Sequence, residues 1–508
     1  MKIAFKHIIA GFAGLLLLNA CKKDLGNYSY TSVPVPVIDT TGIGGARFVE
    51  RYGTLDINPT INYKNEGALK YQWTMHQFVA GSSGPTIPSR VLSTSRHLSA
   101  LITETVGEYR LELLVTDTAN ALKANILFTV TVSAGLEYGV MVLHGTADSS
   151  DIDFIVTANA IPVAGINPRR LRGLYKASTG TKFPGAPRFV SQERRSFSTQ
   201  NWITLGSDKH LSRVSGSDFT LLRADKQYFR RADAVIAPEA LGFLANSYTA
   251  LINDGKLHIY NTTYEVDGLF GGPIDGDYKL APYVAYQSAS SVLAAVYDQK
   301  YGRFLRPSGM GGFMVDFTVA PANTNAPFNH RQIGKDMLFM DRGFSGNTHS
   351  FFKDRTGNGY WLYISNFNKT DDGTLAIAAY DMTNLPEIAS AKYFQTSELG
   401  YIDFYATDRK VYAYNYQGSN TATLALDNIP SGETITCMRL FKPRPNYNLT
   451  TSDGAVLYIA TWNGTQGKVY EYMVNGNSGQ ITTPAAQVFE GFDKVADISA
   501  KGRGSGTY

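Results

Sequence analysis

The regular spacing of apolar and polar residues is clearest in residues 248–260, which read YTALINDGKLHIY. Both halves of this run are rich in β-branched and aromatic residues, and the dipeptide Asp254-Gly255 lies between them. Because Asp-Gly accepts the positive φ values of a type I′ turn, the run predicts a β-hairpin in which Ile252 pairs with Leu257. Apolar residues on both faces predict a strand pair that is covered on both sides.

The sequence of the second strand of this hairpin recurs along the chain. Its sequence, GKLHIY at residues 255–260, is closely matched by RKVYAY and GKVYEY and more loosely by four other runs. The copies are residues 151–156, 208–213, 302–306, 359–363, 409–414 and 467–472. Neighbouring copies lie roughly 47 to 58 residues apart, which is in the range of propeller blades of four strands each. The repeats therefore predict about seven such units.

Composition favours the same fold class. Of the 508 residues, 44% are hydrophobic, 12% are aromatic and only 18% are charged, with 31 Tyr and 48 Gly. This balance suits strands and tight turns more than helices. The formal net charge of +4 falls to about +2 once an N-terminal segment with Lys2 and Lys6 is removed, which is far from the basic excess of a nucleic-acid-binding protein. Nucleic acid is therefore excluded as a partner.

Residues 1–20 have the parts of a secretory signal peptide. A basic start precedes an apolar run that is too short to be a good membrane span, and a small residue, Ala20, ends the segment. The next residue is Cys21, so Leu18-Asn-Ala-Cys21 resembles a bacterial lipobox. We expect Cys21 to be acylated and to tether the mature chain to a lipid bilayer, because two acyl chains suffice for stable anchoring.

The residues after Cys21 predict location and spacing. Lys22-Lys-Asp24 resembles the surface-export signal of Bacteroidetes lipoproteins. We therefore expect a position in the outer membrane facing the cell exterior, with a periplasm-facing orientation as the alternative. Residues 21–45 contain a Pro alternation followed by glycines, a composition that favours an extended linker between the lipid and the folded part.

Residues 46–134 predict an immunoglobulin-like β-sandwich. Short strands separated by turn signals follow one another within fewer than about 100 residues, as in such sandwiches. Trp73 is expected to be the core tryptophan. Tyr71-Gln-Trp73 and the later Gly107-Glu-Tyr109 resemble motifs of PKD domains, and this resemblance implies a spacer or an interaction module.

Residues 135–500 carry the repeats, and we expect them to form a seven-bladed β-propeller, followed by a disordered tail at residues 501–508. The last strand-like run, residues 487–500, is expected to complete a blade opened by the start of the repeat region. Such pairing would remove two exposed sheet edges. The predicted fold class is thus all-β, with an N-terminal Ig/PKD-like β-sandwich followed by a β-propeller.

Two stretches, residues 266–287 and residues 306–350, are longer than a blade needs. Long loops on a rigid scaffold are common places for binding. Their aromatic residues are suited to stack on sugar rings or to receive peptide side chains, and packing in the core between blades is the alternative for each. Basic residues nearby either bind an anionic group or are simply solvated. The candidate ligand-binding residues are Phe270, Tyr278, Tyr283, Phe313, Phe328, His330, Arg331 and Phe344, with Arg342 nearby.

Common catalytic motifs are missing from the sequence. It contains no His-Glu-x-x-His, no Gly-x-Ser-x-Gly, no phosphate-binding loop and no Cys-x-x-Cys. We therefore assign no catalytic residue, no metal site and no cofactor. A carboxylate pair across a propeller face leaves no local motif, so a glycan hydrolase stays open as an alternative. Cys437, in a strand-like run, is expected to be a buried small hydrophobe and not a reactive thiol.

Three features together resemble the PKD-like family lipoproteins of Bacteroidetes: CKKDLGNYSY at residues 21–30, the Tyr-Gln-Trp strand and the propeller-like remainder. The resemblance implies a cell-surface accessory lipoprotein that works beside a TonB-dependent transporter and its lid lipoprotein. The main hypothesis is thus a non-catalytic binding or accessory subunit of a nutrient-uptake system for oligosaccharides or peptides. The alternatives are a hydrolase or lyase on the propeller face and a purely structural subunit.

Overall fold

The computed structural model of the protein consists almost entirely of strands and turns. The chain divides into two compact units, Met1–Ser133 and Ala134–Tyr508. The predicted signal peptide, Cys21 and the end of the predicted tail lie outside the described residues. The described residues are 34–41, 43, 45–51, 53–77, 86–133, 135–160, 168–193, 201–231, 234–244, 248–285, 294–309, 312–317, 325–369, 374–443 and 454–502.

Among its described residues, the first unit contains one large sheet and two small ones. The large sheet has five strands in the order β2, β9, β8, β5, β6, in which β2 runs parallel to β9 and the other neighbours are antiparallel. The small sheets pair β1 with β4 and β3 with β7. The strands are β1 (Val37–Asp39), β2 (Ala46–Glu50), β3 (Thr54–Ile57), β4 (Thr60–Asn62), β5 (Leu69–Gln77), β6 (Thr86–Ser93), β7 (Leu98–Leu101), β8 (Gly107–Asp117) and β9 (Lys123–Ser133).

The core of the first unit lies against one face of the large sheet. Along β8, buried and less buried residues alternate, as expected for a strand with one face turned to a core. Leu111 and Leu113 from this strand pack with Leu55 from β3 and with Trp73 from β5. Trp73 is fully buried, and its Nε1 donates a hydrogen bond to the carbonyl oxygen of Ser95 at 3.0 Å. The prediction that Trp73 is the core tryptophan is therefore confirmed.

The described part of the second unit holds the remaining strands and one short α-helix, α1 (Leu174–Thr179). The strands are β10 (Gly139–Gly145), β11 (Ser149–Val156), β12 (Arg169–Leu171), β13 (Phe183–Pro184), β14 (Pro187–Glu193), β15 (Trp202–Ser207), β16 (Leu211–Ser215), β17 (Leu221–Ala224), β18 (Pro238–Phe243), β19 (Tyr248–Asn253), β20 (Lys256–Asn261), β21 (Leu280–Val284), β22 (Val296–Asp298), β23 (Arg303–Pro307), β24 (Met314–Asp316), β25 (Lys335–Arg342), β26 (Thr348–Asp354), β27 (Tyr360–Ser365), β28 (Ala376–Asp381), β29 (Tyr393–Thr396), β30 (Ile402–Ala406), β31 (Val411–Asn415), β32 (Thr421–Leu426), β33 (Thr434–Leu440), β34 (Val456–Trp462), β35 (Gly467–Met473), β36 (Gln487–Phe492) and β37 (Lys494–Lys501).

In the described part of the second unit these strands form seven antiparallel sheets. Sheet 1 has the order β37, β10, β11, β12, with β13 also paired to β11. Sheets 2 to 7 follow the chain: β14 to β17, β18 to β20, β21 to β24, β25 to β28, β29 to β32 and β33 to β36. We call β37, β14, β18, β21, β25, β29 and β33 the first strands. Each first strand lies beside that of the next sheet, and β33 lies beside β37.

Apolar side chains fill the space between neighbouring sheets of the second unit. Seven clusters of buried residues are described in this unit, and each combines residues from two sheets that follow one another in this order. A sheet that packs on both sides needs apolar residues on both faces, which explains the pattern of the hairpin at residues 248–260. The chain is therefore nearly all-β, with a propeller-like second unit, as the sequence predicts.

The hairpin of β19 and β20 has the predicted register. Ile252 pairs with Leu257. Asp254 and Gly255 have φ values of 52° and 66°, which are the left-handed values that the predicted turn requires. Tyr260 is fully buried between sheets 2 and 3. The prediction of a hairpin with two covered faces is therefore confirmed.

The C-terminal strand completes the first sheet of the second unit. β37 pairs antiparallel with β10, so Gly139 lies opposite Lys501 and Val142 lies opposite Ile498. This pairing gives β10 a neighbour on each side and leaves it without a free edge. The predicted role of the last strand-like run, to pair with the start of the repeat region, is confirmed for β37.

The two stretches that seemed longer than a blade needs are not single loops. Residues 306–350 contain all of β24 and β25, and residues 266–287 contain β21. The interpretation of both stretches as long loops is therefore wrong.

Candidate functional site

A cavity of about 280 Å³ lies in the second unit where the first strands end. All seven first strands contribute to its wall. Each contributes residues from its carboxyl end or from the residues just after it, such as Gln192 in β14, Phe243 in β18 and Arg342 in β25. Backbone hydrogen bonds join strands within each sheet but do not join one sheet to the next. The first strands of different sheets are therefore in contact only through side chains, which leaves space for a cavity between them. A site built from seven strands follows from the sheet arrangement and not from any local motif.

One ion pair at the cavity joins sheets 7 and 1. Arg439 in β33 donates from Nε and Nη2 to the same oxygen, Oδ1 of Asp497 in β37, at 3.0 and 2.8 Å. The other oxygen of Asp497 accepts a hydrogen bond from the backbone N–H of Val190 at 3.0 Å. The Arg439 side chain is 39% exposed, whereas that of Asp497 is only 6% exposed. The carboxylate is thus enclosed while the guanidinium reaches the cavity.

A second ion pair spans sheets 5 and 7. The Nζ of Lys442 donates to Oδ2 of Asp341 at 2.5 Å, to the carbonyl oxygen of Arg342 at 2.8 Å and to Oγ1 of Thr396 at 3.0 Å. An ammonium has three N–H donors, so Lys442 is fully used by the protein. A third ion pair lies nearby, with Nε of Arg342 at 3.2 Å from Oε2 of Glu398.

The ion pair changes the acidity of Asp341. Burial raises the pKa of this carboxyl, but the charge and hydrogen bond of Lys442, the backbone N–H of Arg342 and the charge of Arg439 outweigh it. The pKa of Asp341 is therefore lowered below its ordinary value of 3.8. Asp341 is ionised at neutral pH and accepts hydrogen bonds without donating them.

The rest of the wall is apolar or carries hydroxyl or amide groups. Val284 and Leu241 are among the apolar contributors, and Ser191 and Ser499 are among the hydroxyl residues. Gly242 allows β18 and β21 to approach closely, since a Cβ at this position would lie 2.6 Å from the Cβ of Val284. The cavity therefore combines cations, carboxylates and hydroxyls with apolar patches, a composition typical of sites for small polar ligands.

Some of the predicted ligand-binding aromatics lie in the packed interior. Phe270 is fully buried and contacts the ring of Tyr260 edge-on, with centroids 4.9 Å apart. Tyr278 is buried, and its hydroxyl donates to the carbonyl oxygen of Ile274 at 2.5 Å. Burial raises the pKa of Tyr278 to about 12. Tyr283 in β21 precedes the cavity residue Val284 and donates its hydroxyl hydrogen bond to a backbone carbonyl at 2.9 Å.

His330 and Phe328 lie together at sheets 4 and 5. Nε2 of His330 lies 2.9 Å from Oγ of Ser365, and the buried ring is surrounded by phenylalanines. Phe328 stacks on Tyr363 with ring centroids 4.5 Å apart. Arg331, which follows His330 in the chain, is exposed. Phe328, His330 and Arg331 do not contribute to the cavity wall.

The other two predicted residues lie at more exposed positions. Phe313 is 58% exposed and forms an isolated bridge with Asp275. Phe344 follows the cavity residue Arg342 by two positions and contacts Tyr401 edge-on, with centroids 4.5 Å apart. The structure therefore places Tyr283 and Phe344 close to cavity residues in the chain and does not gather the predicted residues into one site. Their role in binding stays a prediction.

Of the charged residues in the three ion pairs, the sequence analysis named only Arg342. It missed Asp341, Arg439, Lys442 and Asp497, among others. A signal was present, because Arg439 and Asp497 interrupt apolar strands, reading TITCMRL and KVADISAK. Charged residues are rarely buried without a partner, so a charge inside such a strand indicates an ion pair or a site. These charged residues come together only because sheets that are far apart in the chain pack side by side. The pattern of a single sequence does not show which sheets are neighbours.

Other kinds of site can be examined in the described ranges. They contain no cluster of three or more His, Cys, Asp or Glu side chains that could hold a metal ion. None of their helices has the length and apolar character that a bilayer-spanning segment requires. Cys437 is a buried free cysteine between sheets 7 and 1, and burial raises the pKa of its thiol to about 12. The prediction that Cys437 is a buried small hydrophobe is confirmed.

Comparison with known proteins gives one family match. The model of the PKD-like family matches residues 21–187, which include strands β1 to β9 of the first unit and β10 to β13 of the second. Comparison with curated proteins yields no match. The similarity thus concerns the N-terminal part of the chain.

Solved structures with similar architecture come from varied proteins. A quinonprotein alcohol dehydrogenase-like protein from Bacteroides thetaiotaomicron has 14% identity and a TM-score of 0.41, covering 92% of this chain and 99% of that chain. AztD from Citrobacter koseri has 9% identity and a TM-score of 0.38, covering 85% and 98%. The Cps50 (Swd1) β-propeller domain from Myceliophteria thermophila has 11% identity and a TM-score of 0.37, covering 60% and 89%. At these values no ligand or activity is carried over to this chain.

Proposed function

We propose that the protein is a lipid-anchored, non-catalytic binding subunit of a nutrient-uptake system. Its ligand site is the cavity at the carboxyl ends of the first strands, and its ligand is an oligosaccharide or a peptide. Acylated Cys21 holds the chain in the outer membrane facing the cell exterior, with a periplasm-facing orientation as the alternative. A TonB-dependent transporter and its lid lipoprotein are the partners.

The cavity wall is the observation that carries this proposal. Three ion pairs converge on one space of about 280 Å³, and each pair joins two different sheets. The charges balance, so a neutral or weakly charged polar ligand enters without leaving a large net charge. Carboxylates accept hydrogen bonds from ligand hydroxyl or amide groups, and the cations donate to ligand oxygens.

We infer further that the seven sheets are blades of a closed seven-bladed β-propeller and that the first unit is an immunoglobulin-like β-sandwich. Adjacency of the first strands from β37 through β33 and back to β37 supports closure, as does the pairing of β37 with β10. The match of the PKD-like family model supports the sandwich as a spacer between lipid and propeller.

A hydrolase or lyase acting on glycans or peptides is the alternative function. Such an enzyme needs a carboxylic acid that keeps its proton near neutral pH, which requires a raised pKa. The pKa of Asp341 is lowered instead. Asp341 is therefore suited to accept hydrogen bonds from a ligand and not to act as a general acid.

The test is purification of the full lipidated chain from its own membrane, followed by mass spectrometry of bound small molecules and of associated proteins. Ser499→Trp fills the cavity with an indole, and Ser191→Trp on the neighbouring first strand repeats the test if the first variant misfolds. Ser217→Trp, on an exposed turn, is the matched control. We expect the wild type and the control to release an oligosaccharide or peptide and the cavity variants to release none.

Two outcomes would overturn the proposal. One is an equal amount of ligand from the wild type and both folded cavity variants. The other is recovery without any transporter partner, together with turnover of a panel of glycans or peptides by the protein alone. The anchor is tested separately, because Cys21→Ala is expected to move the protein from the membrane fraction to the soluble fraction, and membrane retention of this variant would refute the anchor.

A further inference from the structure

Arg439 is a cavity cation with unused hydrogen-bond donors among the residues that the structure describes. Lys442 gives all three of its N–H donors to protein oxygens. Arg439 is the most exposed of the three cations, with 39% of its side chain exposed against 23% for Arg342 and 12% for Lys442. Because Arg439 lines the cavity, a ligand in the cavity meets this guanidinium first among the cations.

The guanidinium of Arg439 has one occupied edge and one open edge. Nε and Nη2 both donate to Oδ1 of Asp497, and Nη1 has no hydrogen-bond partner among the residues that the structure describes. Asp497 fixes the plane of the guanidinium, and the backbone N–H of Val190 holds Asp497 in turn. A planar fork that is already oriented loses little entropy when it binds a second partner.

Two hydroxyl groups line the same cavity, one on the first strand beside that of Arg439 and one on the first strand after it. Ser499 is in β37, which pairs with β10 and lies beside both β33 and β14, and Ser191 is in β14. Within the described ranges neither hydroxyl has a hydrogen-bond partner in the protein. Arg439 with two hydroxyl donors offers the set that a carboxylate accepts, in which the guanidinium binds in a forked manner.

The surrounding charges limit the charge of the ligand. Asp341 and Glu398 line the cavity, Asp497 lies behind Arg439, and Asp341 is ionised because its pKa is lowered. A dianion such as phosphate meets stronger repulsion from these carboxylates than a single negative charge does, and the single charge also gains a charge-assisted hydrogen bond from Arg439. The cavity therefore favours a monoanion over a polyanion.

We propose that the ligand carries a carboxylate group that binds to the open edge of Arg439. This inference rests on the proposed function, since it assigns the chemistry of the same cavity. The carboxylate belongs to an acidic sugar residue or to the C-terminus of a peptide, and the probes below separate these two sources.

Ligand-detected NMR with millimolar probes tests the proposal on the full chain. Galacturonate and galactose form the sugar pair, and N-acetyldiglycine and its amide form the peptide pair. We expect saturation transfer to at least one acid and much less to its neutral partner. In Arg439→Gln the affinity for that acid is expected to fall about tenfold or more, the cost of losing one charge-assisted interaction.

Three variants guard against a folding artefact. Arg439→Gln combined with Asp497→Asn removes both charges, so that no carboxylate is left enclosed without a partner. Arg439→Lys keeps the charge but loses the fork, so its affinity is expected to lie between those of the wild type and Arg439→Gln. Arg303→Gln is the matched control, because Arg303 also bonds to a buried aspartate, Asp298, but does not line the cavity.

Each outcome decides the proposal. Loss of acid binding in both Arg439→Gln variants, with retention in Arg303→Gln, supports it. Equal signals from acids and neutral partners, an unchanged affinity in Arg439→Gln, or no signal from either acid overturns it. A neutral ligand released from the natively purified protein would overturn this inference and leave the proposed function standing. Equal amounts of ligand from the wild type and from the folded Ser499→Trp and Ser191→Trp variants would overturn both.

Discussion

Two ion pairs in the second unit use the same chemistry in different surroundings. Glu193 and Arg213 lie in sheet 2, with 0% and 1% of their side chains exposed. Asp497 and Arg439 link sheets 1 and 7, and the arginine is 39% exposed. The shortest N–O distance is 2.7 Å in the first pair and 2.8 Å in the second. The first is sealed among side chains, while the second opens on the cavity.

The sealed pair has a partner for each of its polar atoms. Glu193 accepts hydrogen bonds from Thr204, from the Tyr260 hydroxyl at 2.6 Å and from Arg213 at 2.7 and 3.1 Å. Nη1 of Arg213 donates to the carbonyl oxygen of Gly268 at 3.1 Å, and the guanidinium stacks 4.2 Å above the Trp202 ring. Nothing is left for a ligand, so this pair is structural.

The comparison shows how a binding residue differs from a structural one of the same type. An arginine whose three nitrogens all have partners inside the protein, away from solvent, fixes two sheets to each other. An arginine with one edge held by a carboxylate and the other edge open is oriented but unsatisfied. Both arginines form an ion pair, so the ion pair does not distinguish a binding arginine from a structural one. The distinguishing properties are access to solvent and N–H donors without a protein partner.

The largest effect is expected from breaking the sealed pair. Arg213→Met leaves the Glu193 carboxylate buried without its cation, and the free energy of unfolding is expected to fall by about 3 to 5 kcal/mol. Urea denaturation followed by circular dichroism measures this change. The double variant Glu193→Gln with Arg213→Met is expected to recover much of the loss. A loss below about 1 kcal/mol in the single variant, typical of exposed pairs, would contradict the sealed description.

Breaking the open pair is expected to lower the free energy of unfolding less than breaking the sealed pair does, and to weaken ligand binding more. Arg439→Gln allows cavity water to reach Asp497, so the free energy of unfolding is expected to fall by only about 1 to 2 kcal/mol. The same urea experiment, run beside Arg213→Met, gives the comparison directly. A loss as large as that of Arg213→Met would mean that Arg439 serves structure as fully as Arg213 does.

A smaller effect should appear in the pH dependence of stability. The folded-state pKa of Asp341 is lowered, so ionised Asp341 contributes stability that is fully present above the unfolded-state pKa of about 3.9. This contribution is lost as the pH falls through the still lower folded-state pKa. Asp341→Asn is therefore expected to be less stable than the wild type at neutral pH, with a difference in urea midpoint that shrinks toward about pH 3. A difference that stays constant over this range would show that Lys442 does not stabilise the charge.

The smallest effect concerns a buried thiol two positions before Arg439. Cys437 precedes Arg439 by two positions in β33 and is buried, with the pKa of its thiol raised to about 12. Its thiol is expected to be unreactive toward a disulfide reagent in the native protein and to react once urea unfolds the chain. Native reactivity at the unfolded rate would place water below Arg439 and would weaken the distinction between open and sealed regions.

The sequence contains more information about the fold than about the cavity. The hairpin register follows from Asp254-Gly255 and from local alternation, and both are short-range signals. The seven runs identified as copies of one strand fall on β11, β16, β20, β23, β27, β31 and β35, which are the third strands of sheets 1 to 7 in the orders given above. Third strands are buried on both faces and begin after a tight turn, so they keep a regular pattern.

The cavity depends on long-range relations that local patterns do not express. The first strands differ in length and in the turns around them, so they do not appear as repeats. Arg439 and Asp497 are 58 positions apart in the chain, and Lys442 and Asp341 are 101 apart. Aromatic residues in long stretches attracted attention, but residues such as Phe270 pack between sheets. Only the arrangement of the sheets brings the charged residues together.

A crystal structure of the lipidated protein purified from its native membrane is the most direct test of the central claim. The account predicts ligand density in the cavity at the carboxyl ends of the first strands, in contact with the open edge of Arg439, while Arg213 keeps its contacts to Glu193 unchanged. Ligand density at another surface, with the cavity holding only water, would contradict the account.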